Sequence, residues 1–486
     1  MIPRTMSTQH PDNVRQPFFC NSNVFDWEDE IKEAFYVFSH LKCREQLWDY
    51  EGKEVDNFVV KKLLAKYEAF FRRKKPGVDV RLTYRVPNPA VEKNDAKVLL
   101  ETLMSIARSA DTATFFYGER VTPVFEVALP MCSSATEAIK VKQFYRDYIS
   151  KIEENLIIDQ KIKEWVGEIE PKDIKVIPLV ETKEAIINAG KIAGEYLEKT
   201  KEEEMRFWIA RSDPALNYSS TAAVLLVKLA LDRLREVSIE QSKTIYPILG
   251  CGSAPFRGNF KPSNCDHILK GYPSVHTFTI QSSFKYDNDE EEVRAAIDKI
   301  ENTPTGQPIA VDESRIIPII EKIIAQYEKE IVLVADNANR MSVYIPKRRM
   351  RKLHVGLFGY SRKSRMGIVL PRAIRFCAAL YSYGFPPEIL GLSALNQKDI
   401  EEIVEVYPNF LNDIKTALPF LNKENLKYFP HQLKTNIEHA IATLDVDYEE
   451  NYAHNKITSI IMKNMERQLE VEEDILRAAW VRGFLG

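Results

Sequence analysis

KVIPLVET at residues 175–182, MRFWIARSD at 205–213 and TIYPILGCG at 244–252 decide the fold. Each stretch begins with apolar and β-branched residues, as a parallel strand covered by helices does, and then changes to carboxylates, an arginine or glycines. With a similar run at 276–280, the strand starts are 30, 39 and 32 residues apart, about one strand and one helix each. The spacing predicts repeated β/α units around a parallel sheet.

The same alternation continues outward from these stretches. Two further strand-like patterns lie at 78–84 and 121–129. Helical patterns lie at 183–200 and 219–236. Ser219 and Ser220 are predicted to cap the first turn of the helix that follows them. From about residue 387 to 486 the pattern is helical throughout. We therefore predict an α/β fold, a (β/α)8 TIM-type barrel with large additional helical regions, in which residues 1–486 form one domain with a helical C-terminal extension at about 387–486. Two separate α/β domains are the alternative.

The composition excludes several classes of protein. Of 486 residues, 45% are hydrophobic and 28% charged, which suits a globular protein and not a disordered or fibrous one. The net charge of −3 disfavours non-specific binding of nucleic acid, which needs a surplus of cations. We expect no membrane segment and no secretory signal, because no long apolar run is present. The six cysteines form no C-x-x-C pair, so we expect reduced thiols and a cytoplasmic location.

Carboxylates follow two successive strands, at the edge where the active site of a barrel lies. Glu181 comes directly after one strand, and Asp213 follows the next strand 32 residues later. Two carboxylates so placed can share a hard divalent cation that keeps waters for a substrate to replace. Each carboxylate can instead cap the helix after its strand, where the helix dipole favours an anion. The spacing leaves both interpretations open.

The loop 250–259 (GCGSAPFRGN) offers the backbone amides near Gly252 and Ser253, and the cation Arg257, to an anion. It is neither a Walker loop nor a G-x-G-x-x-G loop, and an ordinary strand-to-helix turn has similar composition. The pattern therefore indicates a possible anion site without requiring one.

Other cations and one amide lie in or after predicted strands. Arg85, just before a turn at Pro87, is either a clamp for phosphate or carboxylate or a surface arginine. The other polar residues so placed are Arg81, Arg211 and Gln281. The densest positive region is 347–352 (KRRMRK), with Arg362 and Arg365 nearby, and it either receives an anion, faces RNA or is a solvated surface.

Several of these motifs together resemble one family, the short, archaeal-type phosphoenolpyruvate carboxylases. The most specific is MSTQHPDNV at 6–14, which is similar to the Thr-x-His-Pro segment that carries the catalytic histidine in the longer enzymes. The other matching stretches are LTYRVPNP at 82–89, IPLVET at 177–182, ARSDPA at 210–215, GCGSAPFRGN at 250–259, QSSFKYD at 281–287, LPRAI at 370–374 and RGFLG at 482–486. From the residues alone, His10 is either an exposed, mobile histidine or a general base in a folded segment.

The resemblance implies a (β/α)8 barrel enzyme that forms a homotetramer. Its implied reaction joins phosphoenolpyruvate and bicarbonate, with Mg2+ or Mn2+, to give oxaloacetate and phosphate through carboxyphosphate and a metal-stabilised pyruvate enolate. The metal would be held by Glu181 and Asp213, and the catalytic residues would be His10, Arg257 and Arg85. The implied substrate-binding residues are Arg81, Arg211, Gly252, Ser253, Gln281, Arg362 and Arg365.

The chain departs from the longer enzymes at two positions. Leu216 stands where they have a lysine, and Cys251 replaces the first arginine of their Gly-Arg-Gly-Gly loop. Lys243, Arg211, Arg362 and Arg365 are the candidates to replace these cations. Two alternatives to a carboxylase are a metal-dependent barrel aldolase or lyase that makes a pyruvate enolate, and an RNA-binding or scaffold protein that uses the basic region.

Overall fold

The computed structural model describes residues 2–22, 24–51, 56–93, 96–349, 362–363 and 367–486, without the side chains of 362–363. Eight parallel strands close into one barrel. They are β1 Thr5–Ser7, β2 Glu45–Asp49, β3 Arg81–Arg85, β4 Glu126–Leu129, β5 Lys175–Val180, β6 Glu204–Ile209, β7 Thr244–Leu249 and β8 Thr277–Ile280. Strands that are neighbours in sequence pair with each other, and β1 closes the barrel by pairing with both β2 and β8. The predicted (β/α)8 barrel is confirmed.

Alternation along the strands divides the barrel interior into three layers. The lowest layer, at the N-terminal ends of the strands, is ionic, since Arg206 Nη1 donates to Glu45 at 2.6 Å and to Glu126 at 2.9 Å. The middle layer is apolar and consists of Met6, Leu47, Ala128, Ile177, Leu179, Trp208 and Ile248. The upper layer is polar and forms the rim at the C-terminal ends of the strands. On β2, for example, Glu45, Leu47 and Asp49 lie in successive layers.

The sequence patterns do not predict β1 and β2. β1 has only three residues and comes directly after Arg4, so the sequence contains no apolar run that would predict it. β2 has the sequence EQLWD. Its Glu45 and Asp49 point into the barrel, and their burial is favourable only when arginines from other strands pair with them. Three of the predicted strands begin later than expected. β3 starts at Arg81 and not at residue 78, β4 at Glu126 and not at 121, and β8 at Thr277 and not at 276.

Helices cover the outside of the barrel. Those before residue 387 are Trp27–Ser39, Val59–Lys66, Glu68–Phe71, Ala96–Tyr117, Ala135–Phe144, Ile162–Val166, Lys183–Ile187, Ala189–Thr200, Ser212–Tyr218, Ser220–Gln241, Cys265–Gly271, Ser282–Tyr286, Glu290–Asn302, Glu313–Ser342 and Ala373–Ser382. Shorter turns and two-residue strand pairs lie at Tyr145–Ile149, Ser150–Glu154, Leu156–Ile157 with Gln160–Lys161, and Arg362–Lys363 with Val369–Leu370. No helix in the described ranges is both long and apolar enough to cross a membrane.

Residues 387–486, all of which are described, contain helices and no strand. The longer helices are Gln397–Val406, Phe410–Ala417, His431–Leu444, Tyr452–Glu466 and Glu472–Arg482, with short 3-10 turns between the first of them and the barrel. That this region and the barrel form one domain stays a prediction.

The predicted cap of the Ser220–Gln241 helix is wrong. Ser219 has φ +87° and makes no cap hydrogen bond with its side chain. Its hydroxyl donates instead to the carbonyl of Leu390 at 3.1 Å, and the hydroxyl of Ser220 donates to that of Phe256 at 3.3 Å. Both serines are buried, so their hydroxyls serve the contact between this helix, the 250–259 loop and the helical region.

Candidate active site at the barrel rim

Glu181 lies at the rim directly after β5 and is 7% exposed. The next helix, Lys183–Ile187, is capped by Thr182, whose Oγ1 accepts from the amide of Ala185 at 3.2 Å. The cap interpretation of Glu181 is therefore wrong, because the neighbouring threonine fills that position. Glu181 instead interacts electrostatically with Glu51 and Arg85.

Asp213 lies in the first turn of the Ser212–Tyr218 helix, which follows β6. β5 and β6 are paired in parallel, with Val180 opposite Ile209. Glu181 and Asp213 therefore leave the same rim from neighbouring strands.

Arg85 is surrounded by more carboxylates than it can balance. Its Nε and Nη2 donate to the two oxygens of Asp49 at 2.8 and 2.6 Å, and its Nε lies 3.0 Å from Glu51 Oε2. Burial raises the pKa of Glu51 well above its usual value, and Glu181, Asp49 and Glu92 add to that rise while Arg85 opposes it. Buried carboxyl groups thus accumulate beside Glu181.

This accumulation suits a divalent cation held by Glu181 and Asp213. Carboxylate oxygens are the ligands that Mg2+ and similar hard cations prefer. The described residues include no group of three or more His, Cys, Asp or Glu arranged to hold a metal. In a catalytic Mg2+ site, water and substrate usually complete the coordination that two carboxylates begin.

Arg257 is 1% exposed and donates from all three of its nitrogens. Nη1 donates to Asp12 Oδ2 at 3.1 Å and to the carbonyl of Gly486 at 2.8 Å. Nη2 donates to Gln281 Oε1, and Nε donates to Ser212 Oγ at 3.2 Å. Arg257 thus joins the N-terminal segment, the 250–259 loop, β8 and the helical region at one point.

The 250–259 loop is built for close approach at Gly252. A Cβ there would lie 2.8 Å from Arg257 Nη1 and 3.0 Å from Gln281 Oε1, so only glycine fits without displacing them. Ser253 is buried, and its hydroxyl donates to the carbonyl of Phe260 at 3.1 Å. The side chain of Ser253 therefore holds the loop together, and only its backbone is left as a candidate contact for substrate.

His10 lies at the rim in a folded segment. Its Nδ1 is 2.8 Å from Thr8 Oγ1, and its carbonyl accepts from the amide of Ser282 at 3.3 Å. The interpretation as a mobile terminal histidine is wrong, because β1 ties the segment into the barrel. Burial lowers the pKa of His10 well below its usual 6.5, and the charges of Arg85 and Arg257 lower it further. The imidazole is consequently neutral near pH 7 and able to accept a proton.

Arg211, one of the candidates to replace the missing charges, lies beside Cys251. A Cβ on Gly258 would be 3.1 Å from both Arg211 Nη1 and Cys251 Cβ, so these two groups line one small space. The Nε and Nη1 of Arg211 are buried without a hydrogen-bond partner among the described residues. Arg211 thus brings an unsatisfied cation beside the position where the longer enzymes have an arginine.

Two of the predicted cations lie at the wrong end of the barrel. Arg81 begins β3, and its Nη1 is 3.8 Å from Glu126 in the ionic layer. Arg81 and Arg85 are the first and last residues of β3 and point to the same side of the strand. They therefore lie at opposite ends of the barrel interior, and Arg81 does not reach the rim. Lys243 precedes β7 and pairs with Glu203, also at the N-terminal ends of the strands. Lys243 therefore does not replace a cation at the rim.

The basic region is only partly described. Arg365 and residues 350–361 lie outside the described residues, and Arg362 is described only as part of the short strand Arg362–Lys363. Arg348 and Arg349 are buried, and Arg349 Nη2 donates to Glu33 Oε1 at 2.7 Å. These two arginines are therefore not a solvated surface and do not face RNA.

Four functional candidates were missed by the patterns: Asp12, Asp49, Glu51 and Gly486. Asp12 and Gly486 lie inside the matching stretches MSTQHPDNV and RGFLG, so those stretches did contain a signal. Asp49 and Glu51 lie at the end of β2, which has no apolar run, and no pattern pointed to them.

A closed parallel barrel that gathers carboxylates, arginines and a histidine at the C-terminal ends of its strands has the architecture of a barrel enzyme. A family model described as phosphoenolpyruvate carboxylase matches residues 2–486. The chain belongs to the phosphoenolpyruvate carboxylase family, and the resemblance drawn from the motifs is confirmed.

Named relatives agree with this assignment. A phosphoenolpyruvate carboxylase from Methanothermobacter thermautotrophicus is 47% identical over 100% of both chains, and one from Pyrococcus abyssi is also 47% identical over 100% of both. One from Halobacterium salinarum is 42% identical over 99% of this chain and 98% of its own. Among solved structures, a citrate lyase from Burkholderia xenovorans covers 68% of this chain and 84% of its own at 12% identity, with a TM-score of 0.35, which is too low to carry an argument.

Proposed function

We propose that this chain carboxylates phosphoenolpyruvate with bicarbonate, giving oxaloacetate and inorganic phosphate. Membership of the family over the whole chain supports this activity. The structural observation that carries the proposal is the contact between Asp12 and Arg257, 3.1 Å apart. It joins the segment of His10 to the 250–259 loop, so the proposed base and the proposed cation lie at one rim.

The metal of the proposed site is Mg2+ or Mn2+, held by Glu181 and Asp213. Such a cation, when bound, supplies Lewis-acid stabilisation to oxygen atoms that gain negative charge. The support is the family's general dependence on a metal and the surplus of buried carboxylates beside Glu181.

In the first step a bicarbonate oxygen attacks the phosphorus of phosphoenolpyruvate, and the bond from phosphorus to the enol oxygen breaks. The products are carboxyphosphate and the enolate of pyruvate. Two anions must approach each other in this step, and the fixed cation Arg257 offsets their repulsion. Arg85 would add to this effect when a bound divalent cation balances the carboxylates around it. Arg211, the backbone near Gly252 and Ser253, and Gln281 are the other groups proposed to contact substrate.

In the second step His10 accepts the proton from the carboxyl group of carboxyphosphate. The bond from that carboxyl carbon to the phosphate oxygen breaks, which releases CO2 and phosphate. C3 of the enolate then forms a bond to CO2 and oxaloacetate results. The neutral state of His10 supports this role, because only the neutral imidazole can take the proton.

We also propose that the protein is a cytoplasmic homotetramer whose barrel and helical region form one domain. All six cysteines are buried and free, as expected in a reducing compartment. Large apolar side chains are exposed near the Leu156–Ile157 strand pair, where Ile158 is 91% exposed and Trp165 70% exposed, and they suit a contact between subunits. Light scattering after size exclusion tests the assembly.

The activity is tested by following oxaloacetate with malate dehydrogenase and NADH. Phosphoenolpyruvate, bicarbonate and Mg2+ are supplied together, and each is left out in turn as a control. NADH loss that needs all three supports the proposal. NADH loss without bicarbonate, or none from folded protein, would contradict it and favour other enolate chemistry.

The metal assignment predicts that Asp213→Asn lowers turnover by about two orders of magnitude or more, because one charged ligand of the cation is lost. We expect the variant also to need much more Mg2+ for half-maximal activity. Glu184→Gln, an acid in the first turn of the helix that follows Glu181, is the matched control and should behave as the wild type. Wild-type Mg2+ dependence in Asp213→Asn would contradict the assignment.

A further inference from the structure

Residues 13–15, just after the His10 segment, are held from both sides by side chains. The carboxylate of Asp287 accepts from the amide of Val14 at 2.9 Å and from that of Arg15 at 2.7 Å. The guanidinium of Arg348 donates to the carbonyl of Asn13 at 3.2 Å and to that of Val14 at 2.8 Å. We name these two side chains the Asp287–Arg348 clamp.

The clamp is made of two charges that are unfavourable to bury. Arg348 is 5% exposed, and burial lowers its pKa. Burial also raises the pKa of Asp287 to about 7, and Asp12 adds to that rise. The two residues come from distant parts of the chain, one at the end of the Ser282–Tyr286 helix and the other beyond the Glu313–Ser342 helix. Buried charges that bind backbone groups hold a segment with more directional restraint than apolar packing does.

A second anchor lies on the other side of His10. β1 pairs with β8 through Ser7, and the amide of Thr8 donates to the carbonyl of Ile280 at 3.0 Å. Between this anchor and the clamp, Asp12 Oδ1 accepts from the amide of Ser283 at 2.7 Å. His10 therefore sits on a short bridge whose two ends are fixed to the barrel.

We infer that Asp287 and Arg348 are positioning residues, which hold His10 and Asp12 against Arg257 and thereby direct carboxyphosphate to oxaloacetate. The inference rests on the proposed role of His10. When the bridge is loose, the proton transfer at His10 slows and water reaches the site. The enolate then takes a proton from water and becomes pyruvate. The hydroxide adds to the carboxyl carbon of carboxyphosphate, the bond from that carbon to the phosphate oxygen breaks, and bicarbonate and phosphate are released in place of oxaloacetate.

The test uses the full chain and the variants Asp287→Asn, Arg348→Met and the double variant. The ratio of pyruvate to oxaloacetate is measured with lactate and malate dehydrogenases, and hydrogen exchange is followed in the peptides that contain residues 13–15. Asp289→Asn is the matched control, since it makes the same change two residues away at a helix cap that asparagine also provides. Arg348→Lys is the conservative variant, and His10→Asn is the reference for loss of the base.

We expect exchange at Val14 and Arg15 to rise about tenfold or more in the clamp variants, because the amides lose a charged acceptor or its support. The pyruvate fraction should rise several-fold, Arg348→Lys should restore part of it, and the KM for phosphoenolpyruvate should stay near that of the wild type. The double variant should be no worse than the more severe single one, because both act on one segment.

A purely structural role would lower kcat or the melting temperature and leave the product ratio unchanged, and that result in folded variants would overturn the inference. If His10→Asn raises the pyruvate fraction and the clamp variants do not, positioning by the clamp fails while the role of His10 stands. An unchanged ratio in His10→Asn would overturn the proposed role of His10 and the inference together.

Discussion

Arg257 depends on backbone positions as much as on side chains. Its guanidinium contacts the carbonyl of Gly486 on one side, and Gly252 passes close to it on the other. Neither glycine has room for a Cβ, since one at Gly252 would meet Arg257 itself and one at Gly486 would meet Ile374 and Ala378. Single glycines therefore decide where this cation lies, although they carry no chemistry themselves.

We predict that Gly486→Ala lowers kcat about tenfold or more through misplacement of Arg257. The added Cβ would lie 2.2 Å from the carbonyl oxygen of Ile374 and 2.7 Å from the amide of Ala378, so Gly486 must shift and its contact with Arg257 weakens. Steady-state kinetics and thermal unfolding measure the effect. Gly306→Ala is the control, because its Cβ would make only an ordinary 3.4 Å contact with Pro273. Wild-type kcat in a folded Gly486→Ala protein would show that Arg257 does not need this contact.

His10→Asn is expected to lower oxaloacetate formation about 100-fold or more, since a general base typically contributes that much, and to form pyruvate. The pH profile adds a second check. Because the pKa of His10 is lowered below 6.5, the neutral base is present at pH 7 and is lost only as pH falls through the lowered value. The His10-dependent acid limb of kcat should thus lie below pH 6.5. An acid limb above pH 6.5 that disappears in His10→Asn would contradict the burial of the imidazole.

At the scale of elements, the 250–259 loop is held by the helical region that follows residue 387. Glu388 Oε1 accepts from the amide of Phe256 at 2.5 Å and from the hydroxyl of Tyr381 at 2.9 Å. Burial raises the pKa of Glu388 to about 7, and its Oε2 has no hydrogen-bond partner among the described residues. The helical region thus contributes a buried carboxyl group that holds the 250–259 loop.

Glu388→Gln should remove part of the pH dependence of stability. The folded pKa of about 7 exceeds the usual 4.5, so the folded state binds more protons and stability falls as pH rises through this window. Relative to pH values below 4.5, the free energy of unfolding is lower by about 3 kcal/mol at pH 8. We expect Glu388→Gln, whose Oε1 keeps both hydrogen bonds, to lose less stability between pH 5 and 8 than the wild type does.

Urea unfolding at several pH values measures this difference. Glu401→Gln, an exposed change in the Gln397–Val406 helix, is the control and should keep the wild-type slope. If the free energy of unfolding changes with pH equally in Glu388→Gln and in the wild type, the ionisation of Glu388 does not lower the stability of the folded protein and the prediction is wrong.

At the scale of the whole molecule, the three layers of the barrel separate stability from chemistry. The ionic layer of Arg206, Glu45 and Glu126 lies at the N-terminal ends of the strands, and the apolar layer stands between it and the rim. In barrel enzymes the N-terminal face serves stability and the C-terminal face serves catalysis.

Arg206→Met is therefore predicted to destabilise the protein by about 3–5 kcal/mol, because Glu45 and Glu126 keep buried charges without their partner. The kcat of the folded protein should not change. Arg44→Met is the control, since its pair with Glu301 is 39% exposed on the arginine side and should be worth about 1 kcal/mol or less. Equal stability losses in the two variants, or a kcat loss in folded Arg206→Met, would contradict the layered description.

The sequence by itself determined the barrel class, six of its eight strands, the family and the residues that follow β5, β6 and β7. These follow from local features, since an apolar run and the polar residue after it are neighbours in the chain. Only the tertiary structure decided that β1 and β2 complete the barrel, that Arg81 lies at the opposite end from Arg85, and that Asp12 and Gly486 hold Arg257. Those outcomes depend on contacts between residues far apart in sequence, such as Asp12 and Arg257 at a separation of 245. No local pattern encodes such a contact, because the burial that makes it favourable exists only after the barrel has closed.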